Sequence, residues 1–107
     1  MTEVDNETWL LDEGERVIDR KAAEGYSALT SKERLVYCLW SADYGMRNAG
    51  DLTTAADLHP NFLQDGHSAA QELGFLTCIA AFSLSGQELE MQYFTLFDAI
   101  VAEIRAE

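Results

Sequence analysis

Asp43 and Arg47 are the residues whose types and spacing come nearest to chemistry in this chain of 107 residues. They stand one helical turn apart in a run that is otherwise apolar, with Leu35, Val36, Leu39, Trp40 and Met46 recurring at the period of a helix. A carboxylate among such neighbours has to be paired or hydrogen-bonded, because an unpartnered buried charge is costly enough to protonate instead. Two roles fit that requirement. With Tyr37 or Tyr44 and Asn48, Asp43 could transfer a proton or anchor a ligand. With Arg47 and Asn48 it could be a structural polar brace for the turn at Asn48, Ala49 and Gly50. General acid–base work also needs a cleft and a second group. The sequence shows neither, nor a nucleophile–base pair or a glycine-rich phosphate loop. The brace is therefore the expected role, no residue is expected to be catalytic, and the protein is expected not to be an enzyme.

The other candidates for ligation are poorly spaced. His59 and His67 have Asp65 and Glu72 in the same region, but the spacing is neither HxxxH nor HExxH, and His67 falls at the edge of an apolar face. No metal and no cofactor are expected. Cys38 and Cys78 are isolated among apolar neighbours, in neither a CxxC nor a ligand cluster, and are expected to be buried free thiols.

Charge is the more informative signal. Nineteen acidic residues against seven basic ones give a formal net charge of −12. Residues 48–104 contain no Lys or Arg, whereas Asp51, Asp57, Asp65, Glu72, Glu88, Glu90, Asp98 and Glu103 all fall there. Direct binding to nucleic acid, which rests on neutralising phosphates, is disfavoured. Asp12, Glu15 and Asp19 form a row at i, i+3 and i+7, opposite a face made by Leu10, Gly14, Val17, Ile18 and Ala22. One reading is a solvated face in which Asp12–Arg16 and Arg20–Glu24 form i,i+4 pairs worth about 0.2–0.5 kcal/mol each. The other is a partner-binding surface, joined by Glu88 and Glu90, for a basic protein. Such a row places a charge every ~5 Å, against ~3.4 Å per phosphate along one DNA strand. One helix alone cannot imitate a duplex, and several acidic edges would have to combine.

These residues need a scaffold, and the pattern predicts a single all-helical domain, a compact bundle of five or six helices. At 48% hydrophobic with two Trp, the chain has apolar payload enough for one core. The first helix is predicted to begin at Asp5 or Asn6 and to end at Gly25. Residues 29–50 hold the central helix, opened by a Thr30–Glu33 capping box and stopped at Asn48 or Gly50. Residues 51–58 form a short helix or helical turn. Pro60 suits the first turn of the next helix, whose face is Phe62, Gly66, Ala69, Ala70 and Leu73 and whose stop is Gly74. Residues 75–84 are apolar almost all round. Thr77 and Ile79 would tolerate a strand, but Ala80, Ala81 and the lack of a partner strand favour a buried helix beneath Trp40. Ser85 and Glu88 form a second capping box, opening a last helix whose stripe of Leu89, Tyr93, Leu96, Phe97, Ile100 and Ile104 is core or a dimer seam. No stretch reaches the ~20 apolar residues of a membrane span. The first residues have neither a basic n-region nor an apolar h-region, so a cytoplasmic protein is expected.

The spacing Leu-Thr-x-x-Glu-Arg-x-Val-Tyr-x-x-Trp from Leu29 to Trp40, followed by an acidic position and Asn48-x-Gly50, resembles a bacterial family of small all-helical domains. That family includes a dimeric acidic protein that mimics DNA and captures a transcription factor. The likeness is close over residues 29–50 and looser over 8–104. Family members usually carry Asn-Gly-Gly at the position of Asn48-Ala49-Gly50, and a longer, proline-rich segment at the position of Leu84-Ser85-Gly86. The resemblance implies an all-helical fold, a homodimer, and a non-enzymatic acidic protein whose partner is a basic, DNA-binding protein such as a transcription regulator. Two alternatives stand beside it: an immunity-type protein that neutralises a toxin, also small, acidic and helical, and a small-molecule binder or enzyme using Asp43 and Asn48.

Overall fold

The three long helices begin where the chain offers a side-chain oxygen to orphan amides. A computed structural model describes residues 4–106. Asp5 accepts the Thr8 amide at 2.7 Å and opens α1, Asn6–Glu24. A 3₁₀ turn, Tyr26–Ala28, leads to α2, Ser31–Ala49, where Thr30 accepts the Glu33 amide at 3.1 Å and Glu33 accepts the Thr30 amide at 2.8 Å. Three shorter helices follow: α3, Thr53–Leu58; α4, Phe62–Leu73; and α5, Leu76–Phe82. Ser85 and Glu88 close the second capping box and open α6, Gly86–Arg105. Gly50 and Gly74 end α2 and α4 in the left-handed region, at φ 76° and 71°, a conformation only glycine adopts without strain. The described residues thus form six α-helices and no strand, the all-α bundle predicted.

α2 is the hub. It packs against α1, α3, α4 and α6, and its residues from Leu35 to Leu39, with Ala42, Asp43, Gly45 and Met46, are buried. α1 contributes Leu10 and Val17 to the same core, α4 contributes Ala69 and Ala70, and α6 contributes Tyr93, Phe97, Ile100 and Ile104. Small residues set the helix spacing. A methyl group at Gly45 would stand 2.9 Å from the Asp51 carbonyl oxygen and 3.3 Å from the Ala55 amide nitrogen, so α3 lies directly on the α2 backbone there. Among the described residues, no helix is long and apolar enough to cross a membrane.

Four expectations are corrected. α5 is not buried all round, since only Cys78, Ala81 and Phe82 are buried while Leu76 is 76% exposed. It lies across α4 and α6 rather than beneath Trp40, which sits over Gly14 of α1. Ala22 is exposed, because the buried arc of α1 runs through Leu10, Gly14 and Val17, and Ala22 falls about three turns beyond exposed Leu11 on its side of the helix. Pro60 precedes α4 instead of entering its first turn; the Phe62 amide bonds back to the His59 carbonyl at 3.0 Å, and Asn61 takes the N-cap.

Candidate functional site

Asp43 is 2% exposed and carries three hydrogen bonds. Arg47 Nε donates to both carboxylate oxygens at 3.0 Å, the i,i+4 contact that helix geometry provides. The third bond comes from a second donor, the Tyr93 hydroxyl of α6, at 2.7 Å from Oδ1. Burial, then the charge of Asp43 and the bond to it, push the Tyr93 phenol above its ordinary range, so it stays a neutral donor. The arrangement ties α2 to α6 through the Asp43 carboxylate. Asn48 stands apart from it, exposed, with its amide donating to the Tyr44 carbonyl at 2.8 Å. In sequence Tyr93 belongs to the apolar stripe of the last helix. The available signal was its hydroxyl, which in a buried stripe needs a partner.

The carboxylates divide into two populations. Six of those outside α1, Asp5, Glu33, Asp51, Glu88, Glu90 and Glu103, accept backbone amides at helix starts. Glu90 accepts the Leu52 amide at 2.8 Å, and Asp51 the Thr53 amide at 3.0 Å, both at the head of α3. Glu103 accepts the Thr77 and Cys78 amides at 3.0 and 2.9 Å at the head of α5; burial disfavours its charge, but these bonds outweigh it and leave the carboxyl below its ordinary range. Glu33 behaves alike: burial opposes its charge, while the Thr30 amide and the guanidinium groups of Arg16 and Arg20 hold it low. Glu72 accepts from Arg34 at 2.8 Å and from the Ser31 hydroxyl. Glu88 and Glu90, the two partner-binding candidates on α6, both have an oxygen engaged by a backbone amide. Glu88 is exposed but uses an oxygen on the Ser85 amide at 3.2 Å, and Glu90 faces α3 because the short helix has no side-chain cap of its own at Leu52.

The second population is the row on α1. Asp12, Glu15 and Asp19 are exposed, and none of the three has a hydrogen bond or ion pair among the described residues. Arg20–Glu24 forms at 3.3 Å, but Asp12–Arg16 does not. Arg16 pairs instead with Glu13 at 2.9 Å and Glu33 at 3.2 Å, drawn toward the capped start of α2.

His59 Nε2 lies 2.6 Å from Asp65 Oδ2, which also accepts the Tyr26 hydroxyl at 3.1 Å. This ties the 3₁₀ turn, the end of α3 and the first turn of α4 together, beneath ring contacts of His59 with Tyr26 at 5.2 Å and Tyr37 at 5.5 Å. His67 is remote from this cluster, on the other side of α4 beside Phe82 and Ser83. Among the described residues, no three His, Cys, Asp or Glu side chains are placed to hold a metal ion. Cys38 and Cys78 are buried and unbridged, and burial raises both thiols, Cys38 to about 12. Leu11, Trp40, Asp43, Tyr44, Arg47 and Asn48 line a cleft between α1 and α2. Comparison of the chain with protein-family models, curated proteins and solved structures finds no match.

Proposed function

We propose that this is a non-enzymatic acidic interaction protein that captures a basic protein surface, such as the DNA-binding face of a transcription regulator, through α1. The observation that carries the reading is the contrast between the two carboxylate populations. Asp12, Glu15 and Asp19 remain exposed and unengaged on one face, while of the eight acids of the basic-free segment 48–104 four accept amides at helix starts, three are held by side chains, and Asp57 alone is exposed without a partner among the described residues. Unpaired exposed charge of one sign steers an oppositely charged partner and raises its rate of encounter. A cytoplasmic homodimer fits the reading, since two rows would supply the acidic edges that one helix lacks for mimicry of a duplex.

The test is a low-salt pull-down with wild type and with the combined Asp12→Asn, Glu15→Gln, Asp19→Asn variant. Wild type should retain a basic protein, and retention should fall steeply toward physiological salt, where the Debye length shortens to about 8 Å. The variant should fold as wild type, because the three residues face water, and should retain far less. Equal retention by the variant reduces the row to a solvated face. No basic partner at low salt defeats the capture reading altogether.

A further inference from the structure

The cleft between α1 and α2 has features that the acidic row alone does not require. Two of its apolar walls face water, Leu11 at 50% and Tyr44 at 45% exposure. Its aromatic wall is fixed: Trp40 and Tyr44 stack at 5.4 Å with ring planes 28° apart, and a methyl group at Gly14 would come within 2.3 Å of Trp40 Cδ1. Charge surrounds the apolar centre. Glu7 and Glu15 precede and follow Leu11 by four residues on α1, which puts both on its face of the helix, with Cβ atoms about 5–6 Å from its own. Glu15 is unengaged, and Glu7 reaches only Arg47 Nη1, at 3.7 Å. The cation that lines the cleft, Arg47, is already matched by Asp43 at 3.0 Å, and its guanidinium is turned over the rings of Phe94 and Phe97 at 5.2 and 4.9 Å.

An occupant therefore meets an aliphatic side chain, an exposed aromatic ring, the unengaged carboxylate of Glu15 and that of Glu7, which shares its charge with Arg47 at 3.7 Å. We propose that this cleft takes an arginine side chain of the basic partner, its stem along Leu11, its guanidinium on the Tyr44 ring and turned toward Glu15 or Glu7. Arginine suits it better than lysine because the guanidinium is planar, weakly hydrated and stacks on aromatic faces while bonding carboxylates at its edge. An apolar centre with a charged rim is also the usual anatomy of an anchor position in a protein interface. The assignment rests on the reading of α1 as the capture surface, and names the partner residue that the surface selects.

The experiment uses a Trp9→Phe background, in which Trp40 is the remaining tryptophan, and follows its fluorescence at low salt against oligo-arginine, oligo-lysine and oligo-glutamate peptides of equal length. Oligo-arginine should change the Trp40 emission and bind more tightly than oligo-lysine. Tyr44→Ala should weaken oligo-arginine by about tenfold and abolish the preference over lysine, whereas Tyr44→Phe, which keeps the ring face, should stay within about twofold. Leu11→Ser, at a half-exposed position, is a second variant that should also weaken binding. Unchanged affinity in Tyr44→Ala, together with loss in the Asp12, Glu15, Asp19 variant, overturns the cleft and leaves capture by the row standing. A Trp40 response to oligo-glutamate overturns the cleft in favour of an anion on Arg47. Failure of both basic peptides to bind wild type at low salt overturns the cleft and the capture reading together.

Discussion

Replacing Asp43 by Ala removes the acceptor that Tyr93 and Arg47 share, and the structure sets the size of the effect. Tyr93 is 1% exposed and its hydroxyl donates to Asp43 at 2.7 Å, so the variant leaves a buried donor without a partner, at a cost of about 1–3 kcal/mol. The Arg47 side chain is 30% exposed and can rehydrate, which limits its share to about 1 kcal/mol or less. Relief of the desolvation that the buried carboxylate bears offsets part of both. The expected loss is about 2–3 kcal/mol. Tyr93→Phe removes the donor instead, and combining it with Asp43→Ala takes away the orphan that made the single change expensive. The double variant should therefore be more stable than the sum of the single losses requires, by about 1–2 kcal/mol. Urea denaturation followed by tryptophan fluorescence measures all four proteins, with the slope as a check that the two-state form holds. An Asp43→Ala loss under about 0.5 kcal/mol, or strictly additive single variants, would refute the reasoning.

Gly45→Ala should destabilise by about 1–3 kcal/mol although alanine is the better helix former, because its methyl meets the Asp51 carbonyl at 2.9 Å, a backbone atom that cannot swing aside; an unchanged urea midpoint would show that α3 shifts freely. Glu33 should contribute to pH-dependent stability with a definite sign. Its folded carboxyl sits below the ordinary 4.5, so the contribution is present above that pH and is lost as pH falls through the lower folded value. Glu33→Gln should accordingly be less stable than wild type at neutral pH, with the gap in denaturation midpoints narrowing in the acid range; a gap that is constant or widens there counts against the assignment.

The parts of the fold that were legible in the sequence are those whose cause is local. The caps at Asp5, Thr30 and Ser85 act over three residues, and left-handed glycine at positions 50 and 74 needs no tertiary partner. The burial of Asp43 and its bond to Arg47 were legible for the same reason, being set within one turn of α2. Its bond to Tyr93 spans fifty residues and was not, although each residue alone signalled a polar group in need of a partner. The exposure of α5 shows the opposite limit. Its composition satisfies a buried helix, but with seven residues it lies on α4 and α6 at the edge of the bundle, and nothing local in Leu76 announces that its side goes uncovered.

The same distinction between local and tertiary causes bears on the acidic half of the chain. A segment of 57 residues without Lys or Arg, from 48 to 104, reads in sequence as a broad field of negative charge. In three dimensions four of its eight carboxylates find positive ends of another kind, the amides at the heads of α3, α5 and α6. Backbone amides do for Glu88, Glu90 and Glu103 what basic side chains do elsewhere, so the absence of bases there costs the fold little and says little about partners. On α1 the relation is reversed. Arg16 and Arg20 are present beside the row, yet both are committed to Glu33, and Asp12, Glu15 and Asp19 are left facing water. The proposed capture through α1 and the cleft beside it rests on this difference in engagement, not on the charge count along the sequence.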